Sequence, residues 1–146
     1  MRRASLVDRE IDPAALISEV SDQRFGAVAV FIGAVREVNE GRGVSAIDYS
    51  AYVAMAQTEM DQIVAEAADA FGVGAIAVEH RLGSLALGDI SVAIAAAHQH
   101  RAPALDATRF VIEQIKARVP IWKLEHYVDG SREWVDPTRP SGATRA

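Results

Sequence analysis

Two lysines stand seven residues apart in the stretch IKARVPIWK (115–123), one on each side of Pro120. An ammonium can hold an anion or stabilise negative charge that develops during a reaction, and once deprotonated it can act as base or nucleophile. Each lysine also has a purely structural reading. Lys116 falls in the last turn of a predicted helix, where a cation complements the helix dipole and satisfies open carbonyls. Lys123 shares one face of a predicted strand with Ile121, Glu125 and Tyr127, so an ion pair with Glu125 or a neighbour would account for it. The other face carries Trp122, Leu124, His126 and Val128. Neither face is purely apolar, which puts Lys123 at an edge or in a cleft.

Further cations gather where elements end. In AAAHQHRAP (95–103), His98 and His100 alternate onto one side of a strand, a spacing compatible with two metal ligands but with no recognisable third. His100-Arg101 stands where an apolar strand runs out and a helix begins. Open backbone N–H groups at a helix start, together with Arg101, suit an anion such as phosphate; a capping and surface pair is the alternative. In FIGAVR (31–36), Phe31 and Arg36 bracket the end of another apolar strand, where a polar loop offers a place for a binding arginine. Arg42, in the loop NEGRG (39–43), reads as a solvated loop charge rather than a second anion contact.

Composition removes several alternatives. There is no cysteine, so disulfides, thiolate metal sites and thiol nucleophiles are excluded for this chain. No Gly-Lys-Ser/Thr, nucleotide glycine fingerprint, HExxH or serine nucleophile elbow occurs. No metal or cofactor is therefore expected. Fifteen Lys/Arg against twenty Asp/Glu give a net charge of −5. That balance argues against bulk nucleic-acid or anionic-membrane binding while allowing a local basic pocket. No apolar run approaches the ~20 residues of a membrane span, and MRRASLVDREID lacks a signal-peptide core, so the expected location is the cytoplasm.

The elements that must position these residues follow from periodicity. Asp12-Pro13 opens a short helix through AALISEV, with a cap and a proline in the first turn. Gly26–Val35 and Ile90–His98 are apolar runs, the pattern of strands covered on both faces; 44–52 alternates, and Ala75–Arg81 is a further strand. Val53–Phe71 has apolar residues at helical spacing. A second helix is predicted over Pro103–Val119, with Leu105, Thr108, Ile112, Ile115 and Val119 on one stripe. Pro120 ends it, because proline disfavours helical geometry in the residue before it. A strand over Ile121–Val128, a turn at Asp129-Gly130 and a short strand over Glu133–Val135 complete the pattern. This order predicts an α+β fold, helices packed on a largely antiparallel sheet, in one domain over 1–136 with a flexible tail over 137–146.

Taken together, FIGAVR (31–36), HRLGSLALGDISV (80–92), AHQHRAPALDATRFVIEQIK (97–116), VPIWKLE (119–125) and DGSREWV (129–135) resemble the large, catalytic subunit of molybdopterin synthase, the MoaE family. The resemblance spans about residues 25–136 and implies an α/β-hammerhead fold with an added small antiparallel β subdomain. It also implies a homodimer within a heterotetramer, carrying a small ubiquitin-like sulfur carrier at each end. The carrier's C-terminal Gly-Gly bears a thiocarboxylate, and two such sulfurs pass to cyclic pyranopterin monophosphate to form the molybdopterin dithiolene. Lys116 and Lys123 match the family's catalytic lysines. Arg36, His100 and Arg101 match residues that bind the pterin or its phosphate, with Phe31 beside them. Arg139 is the nearest match to an arginine that reaches into the second subunit's pocket. On this reading both ammonium groups face one pocket near His100 and Arg101. A chain without cysteine cannot carry a persulfide, so sulfur must arrive on a partner.

One departure stands out: the chain has Tyr49-Ser50-Ala51-Tyr52 where many relatives have Tyr-Glu-x-Tyr. Two other classes compete with the sulfurtransferase. One is a non-catalytic docking partner of a ubiquitin-like carrier, which would have no need of Lys116, Lys123, His100 and Arg101 together. The other is an enzyme acting on a phosphorylated pterin or nucleotide without a protein partner.

Overall fold

The computed structural model describes residues 1–135. Its first sheet contains β1 (Arg2–Val7), β2 (Ala27–Ala34), β5 (Ala75–Arg81) and β7 (Ile90–His98), in the order β1-β5-β7-β2. The central strands β5 and β7 are almost wholly apolar because both faces are covered. Helices α2 (Val53–Phe71) and α3 (Arg101–Arg118) cover one face, and α1 (Pro13–Val20) the other. Alternation along β7 sorts the side chains: Val92, Ile94 and Ala96 enter the core under α2 and α3, while Ala93, Ala95 and Ala97 face α1. The alanines let this eight-residue helix approach closely. Asp12 caps it, accepting the Ala14 N–H at 3.0 Å. Because α1 is short, Val28, Val30 and Ile32 on the edge strand β2 stay 37–43% exposed on that same face.

β1 was not expected from periodicity. Arg2 and Arg3 interrupt its alternation, and the strand exists because it pairs in parallel with β5, from Arg2 opposite Ile76 to Val7 opposite Arg81. Long-range ion pairs reinforce it. Arg2 meets Asp69 at 2.7 Å, and both Arg3 and Arg9 reach the buried Glu79 carboxylate at 2.9 Å. The first sheet is therefore largely antiparallel, as expected, with β1–β5 as its parallel pair.

A second sheet holds β3 (Val38–Asn39), β4 (Arg42–Ala51), β8 (Ile121–Tyr127) and β9 (Arg132–Val135), with β6 (Gly83–Ala86) also paired to β4. The expected loop over 39–43 is a tight hairpin. Glu40 (φ 50°) and Gly41 (φ 80°) are both left-handed, the geometry that matches strand twist in a two-residue turn, and β4 starts at once with Arg42. β6 occupies a stretch read only as turn-rich, and its pairing partner lies more than thirty residues earlier.

α3 differs in its buried stripe. Ala104, Ala107, Thr108, Val111 and Ile115 face the core, whereas Leu105 is 56% exposed. Small residues there bring the helix close to the sheet. The helix stops at Arg118, Val119 is already extended (φ −84°, ψ 125°), and β8 begins immediately after Pro120. Among the described residues no helix is long and apolar enough to cross a membrane.

Candidate functional site

A cleft of about 240 Å³ lies where β2, β7 and α3 meet β3, β4 and β8. Its position follows from the Pro120 junction. Ile112 and Lys116, four residues apart, share the face of α3 that looks into the cleft, and the chain then turns into β8, where Lys123 and Glu125 alternate inward. The two lysines therefore line one cavity, joined by Phe31 and Arg36. Gly33 lets Val92 pack closely in the lining, since a Cβ there would lie 2.7 Å from Val92 Cγ1.

Positive charge gathers at the cleft. Lys116 retains exposed surface at the cleft, yet the surrounding protein strips part of its hydration and lowers its pKa below the ordinary lysine value. The neighbouring charges of Lys123 and Arg36 push in the same direction. Lys123 has the carboxylate partner that its strand face predicts: its Nζ is 3.8 Å from Glu125 Oε2.

Beside these cations is a network of neutral donors around a buried acid. Glu125 is only 1% exposed. Asn39 Nδ2 donates to both of its oxygens, at 2.9 and 2.7 Å, and the Tyr127 hydroxyl donates to Oε1 at 3.0 Å. Asn39 Oδ1 in turn accepts from the Arg36 guanidinium at 3.0 Å. Burial, with the Glu125 bond, raises the Tyr127 hydroxyl pKa to about 12, so it remains a donor. Behind Lys116, His80 packs edge-on against Tyr49 with ring centroids 5.2 Å apart. Its Nδ1 lies 2.9 Å from the Arg81 carbonyl, an acceptor only, which fixes the proton on Nδ1. Burial lowers the His80 pKa to about 4 and keeps the ring neutral.

Not every expected residue joins the cleft. His100 and Arg101 are exposed at the N-terminal end of α3, while Lys116 is near its other end. Fifteen residues of helix correspond to about 22 Å, so the expected convergence on His100 and Arg101 does not occur within one chain. Arg139 lies outside the described residues. His98 and His100 have ring centroids 5.8 Å apart, and the His100 N–H donates to His98 Nδ1. No metal-holding group of three or more His, Cys, Asp or Glu forms among the described residues. Arg42 stays outside the cleft, as expected; its side chain is 40% exposed, pairs with Glu133 at 3.1 Å and stacks over Tyr127. Ser50 is exposed and alternates away from cleft-lining Tyr49, so the family's missing carboxylate falls on the other face of β4.

Asn39, Tyr49 and Ser91 are cleft residues that sequence inspection did not select. Glu125 had a signal, its parity with Lys123. Asn39 had none, since it meets Glu125 across 86 residues of sequence.

Fold and site together define an α+β protein with a lysine- and arginine-lined cleft at a helix-to-strand junction. The chain belongs to the MoaE protein family, whose family model matches residues 6–118. It is 43% identical over 139 residues to the molybdopterin synthase catalytic subunit of Oryza sativa subsp. indica, covering 92% of this chain and 72% of that protein. The protein of the same description from Synechococcus elongatus is 47% identical over 115 residues, 78% of this chain and 70% of the relative. Among solved structures, molybdopterin synthase from Staphylococcus aureus superposes with a TM-score of 0.84 at 35% identity, covering 89% of this chain and 94% of that one. A chain from a complex of subunits 1 and 2 of molybdopterin-converting factor from Helicobacter pylori gives 0.74 at 25% identity, covering 90% and 89%.

Proposed function

We propose that this chain is the catalytic large subunit of a molybdopterin synthase, a sulfurtransferase of molybdenum cofactor biosynthesis. A small ubiquitin-like carrier delivers sulfur as the thiocarboxylate of its C-terminal Gly-Gly. Cyclic pyranopterin monophosphate accepts two sulfurs and becomes the dithiolene. Family membership, the descriptions of the relatives and the two-subunit Helicobacter pylori complex support this reading. The observation that carries it is the meeting of Lys116, Lys123 and Arg36 in one cleft of an acidic, cysteine-free chain. Both reactants are anions, so the site must concentrate positive charge where the protein as a whole does not.

The two lysines are not equivalent. Lys116, partly desolvated and faced by two cations, gives up its proton more readily than an ordinary lysine and serves as base or nucleophile. Lys123 supplies positive charge to the carrier's tail and to the negative charge that develops as sulfur leaves the acyl carbon. Arg36 and Phe31, at the rim, hold the pterin.

His100 and Arg101 take part only if a second copy of the chain presents them, because α3 separates them from their own cleft. A homodimer with one carrier at each end, a heterotetramer, satisfies this, and Arg139 would act across the same boundary. The apolar stripe Val28, Val30 and Ile32 on the edge strand β2 offers surface for such an association. The α/β-hammerhead description, with one domain over 1–136, belongs to the same reading.

The test is a reconstitution with purified protein, thiocarboxylated carrier and cyclic precursor, assayed for dithiolene product. Lys116→Ala and Lys123→Ala are each expected to reduce product formation about 100-fold or more, the scale of losing a charge-stabilising group, while the carrier still binds. Turnover at the wild-type rate by both variants would refute the lysine roles. Carrier binding without turnover by the unmutated protein would point to a docking partner instead.

A further inference from the structure

Given the sulfur-transfer reading of the cleft, on which this rests, we infer that Asn39 is a positioning residue that keeps Lys123 from closing onto Glu125 and anchors Arg36 for the same substrate. The buried Glu125 carboxylate is the natural counter-charge for Lys123, yet the Nζ–Oε2 distance is 3.8 Å, beyond hydrogen-bond reach. The nearest donor to that oxygen is the Asn39 amide, at 2.7 Å, and the same Nδ2 lies 2.9 Å from Oε1. Tyr127 takes a further site on Oε1. Neutral donors therefore take both sites on Oε1 and hold Oε2 closer than Lys123 does. Lys123 stays beside a negative charge, and its own N–H donors remain free to face an incoming anion.

The other end of the Asn39 side chain performs a second task. Its Oδ1 accepts from Arg36, three residues earlier, fixing a guanidinium that is otherwise exposed at the rim. One amide thus sets two cations that line the cleft. An amide suits both tasks, because it donates at one end and accepts at the other. The hairpin makes the placement possible: Asn39 directly precedes Glu40 and Gly41, whose left-handed backbone turns the chain sharply at that point.

The experiment separates this role from the functional reading by measuring Lys123 directly. Wild-type protein, Asn39→Ala and Asn39→Ser are treated briefly with an amine-acylating N-hydroxysuccinimide ester, and modification at Lys116 and Lys123 is quantified by peptide mass spectrometry. In both variants Lys123 is expected to pair with Glu125 and react about fivefold more slowly, the scale of a modest ion-pair gain, while Lys116 changes less than about twofold. Adding Glu125→Gln to Asn39→Ala removes the competing charge and is expected to restore Lys123 labelling. In the reconstituted reaction, the Asn39 variants should raise the KM for carrier more than they lower kcat. Thermal unfolding identifies any variant that has lost the fold, and Asn39→Ser, which keeps a polar group, stands in for Asn39→Ala if that variant has.

Equal Lys123 labelling in folded wild type and variants would overturn the inference, as would slowed labelling that Glu125→Gln fails to restore. The labelling pattern described, obtained with a protein that shows no turnover, would support the role of Asn39 and overturn the sulfur-transfer reading.

Discussion

Acidification from neutral pH to about 4 is expected to weaken the fold through one imidazole, and His80→Asn is expected to abolish that part of the pH dependence. His80 is 4% exposed, packed edge-on against Tyr49, and it spends its Nδ1 proton on the Arg81 carbonyl. Loss of hydration, with a smaller contribution from the Lys116 charge, lowers its pKa from 6.5 to about 4. Between those values the unfolded chain binds a proton that the native chain refuses. The contribution is therefore fully present above the unfolded pKa and is lost as pH falls towards the folded one. A gap of about 2.5 pH units, at about 1.4 kcal/mol each, corresponds to about 3 kcal/mol, a large part of a typical domain's stability. Urea unfolding of wild type and His80→Asn across this range measures it. An asparagine amide can still donate to the Arg81 carbonyl but does not titrate, so ring loss adds an offset common to every pH. The stability difference between the two proteins should shrink by about 3 kcal/mol between neutral pH and pH 4. Parallel curves would show that His80 is not held neutral by its surroundings. Titrations common to both proteins, such as that of Asp48, cancel in the comparison.

Two further outcomes follow from the ion pairs. Lys123→Met removes one of the two cations that lower the Lys116 pKa, so that pKa should rise towards 10.5. The pH midpoint for acylation of Lys116 should then move upward, and an unchanged midpoint would show that Lys123 does not act on it. Glu79→Leu removes the carboxylate partner of Arg9 and one of the two on Arg3, and it should cost about 2 kcal/mol in urea unfolding. That is less than the ~3–5 of a fully buried pair because Arg3 keeps Glu19 and both arginines touch solvent. The Glu79 pKa is held low by these arginines against burial, so its contribution is present above the ordinary carboxylate value and is lost as pH falls through the lowered one.

The sequence by itself determined whatever depends on neighbours along the chain. Continuous apolar runs marked β2 and β7, alternation marked β4, helical spacing marked α2, and Pro120 marked the reversal that returns Lys123 towards Lys116. Even the separation of His100-Arg101 from Lys116 was implicit, because a helix between them has a fixed rise per residue. Only the tertiary structure decided what depends on distant partners. β1 has no adequate local pattern and is a strand because β5 supplies its hydrogen bonds. The buried stripe of α3 moved from Leu105 to its alanines because close packing on the sheet selects small residues, not the most hydrophobic ones. Asn39 became part of the cleft because the hairpin and β8 bring it to Glu125 across 86 residues. Local periodicity records which face of an element is buried; it does not record which buried groups from remote segments will meet. The lysines could be named from the sequence, but the amide and the acid that govern one of them could be paired only once the chain had folded.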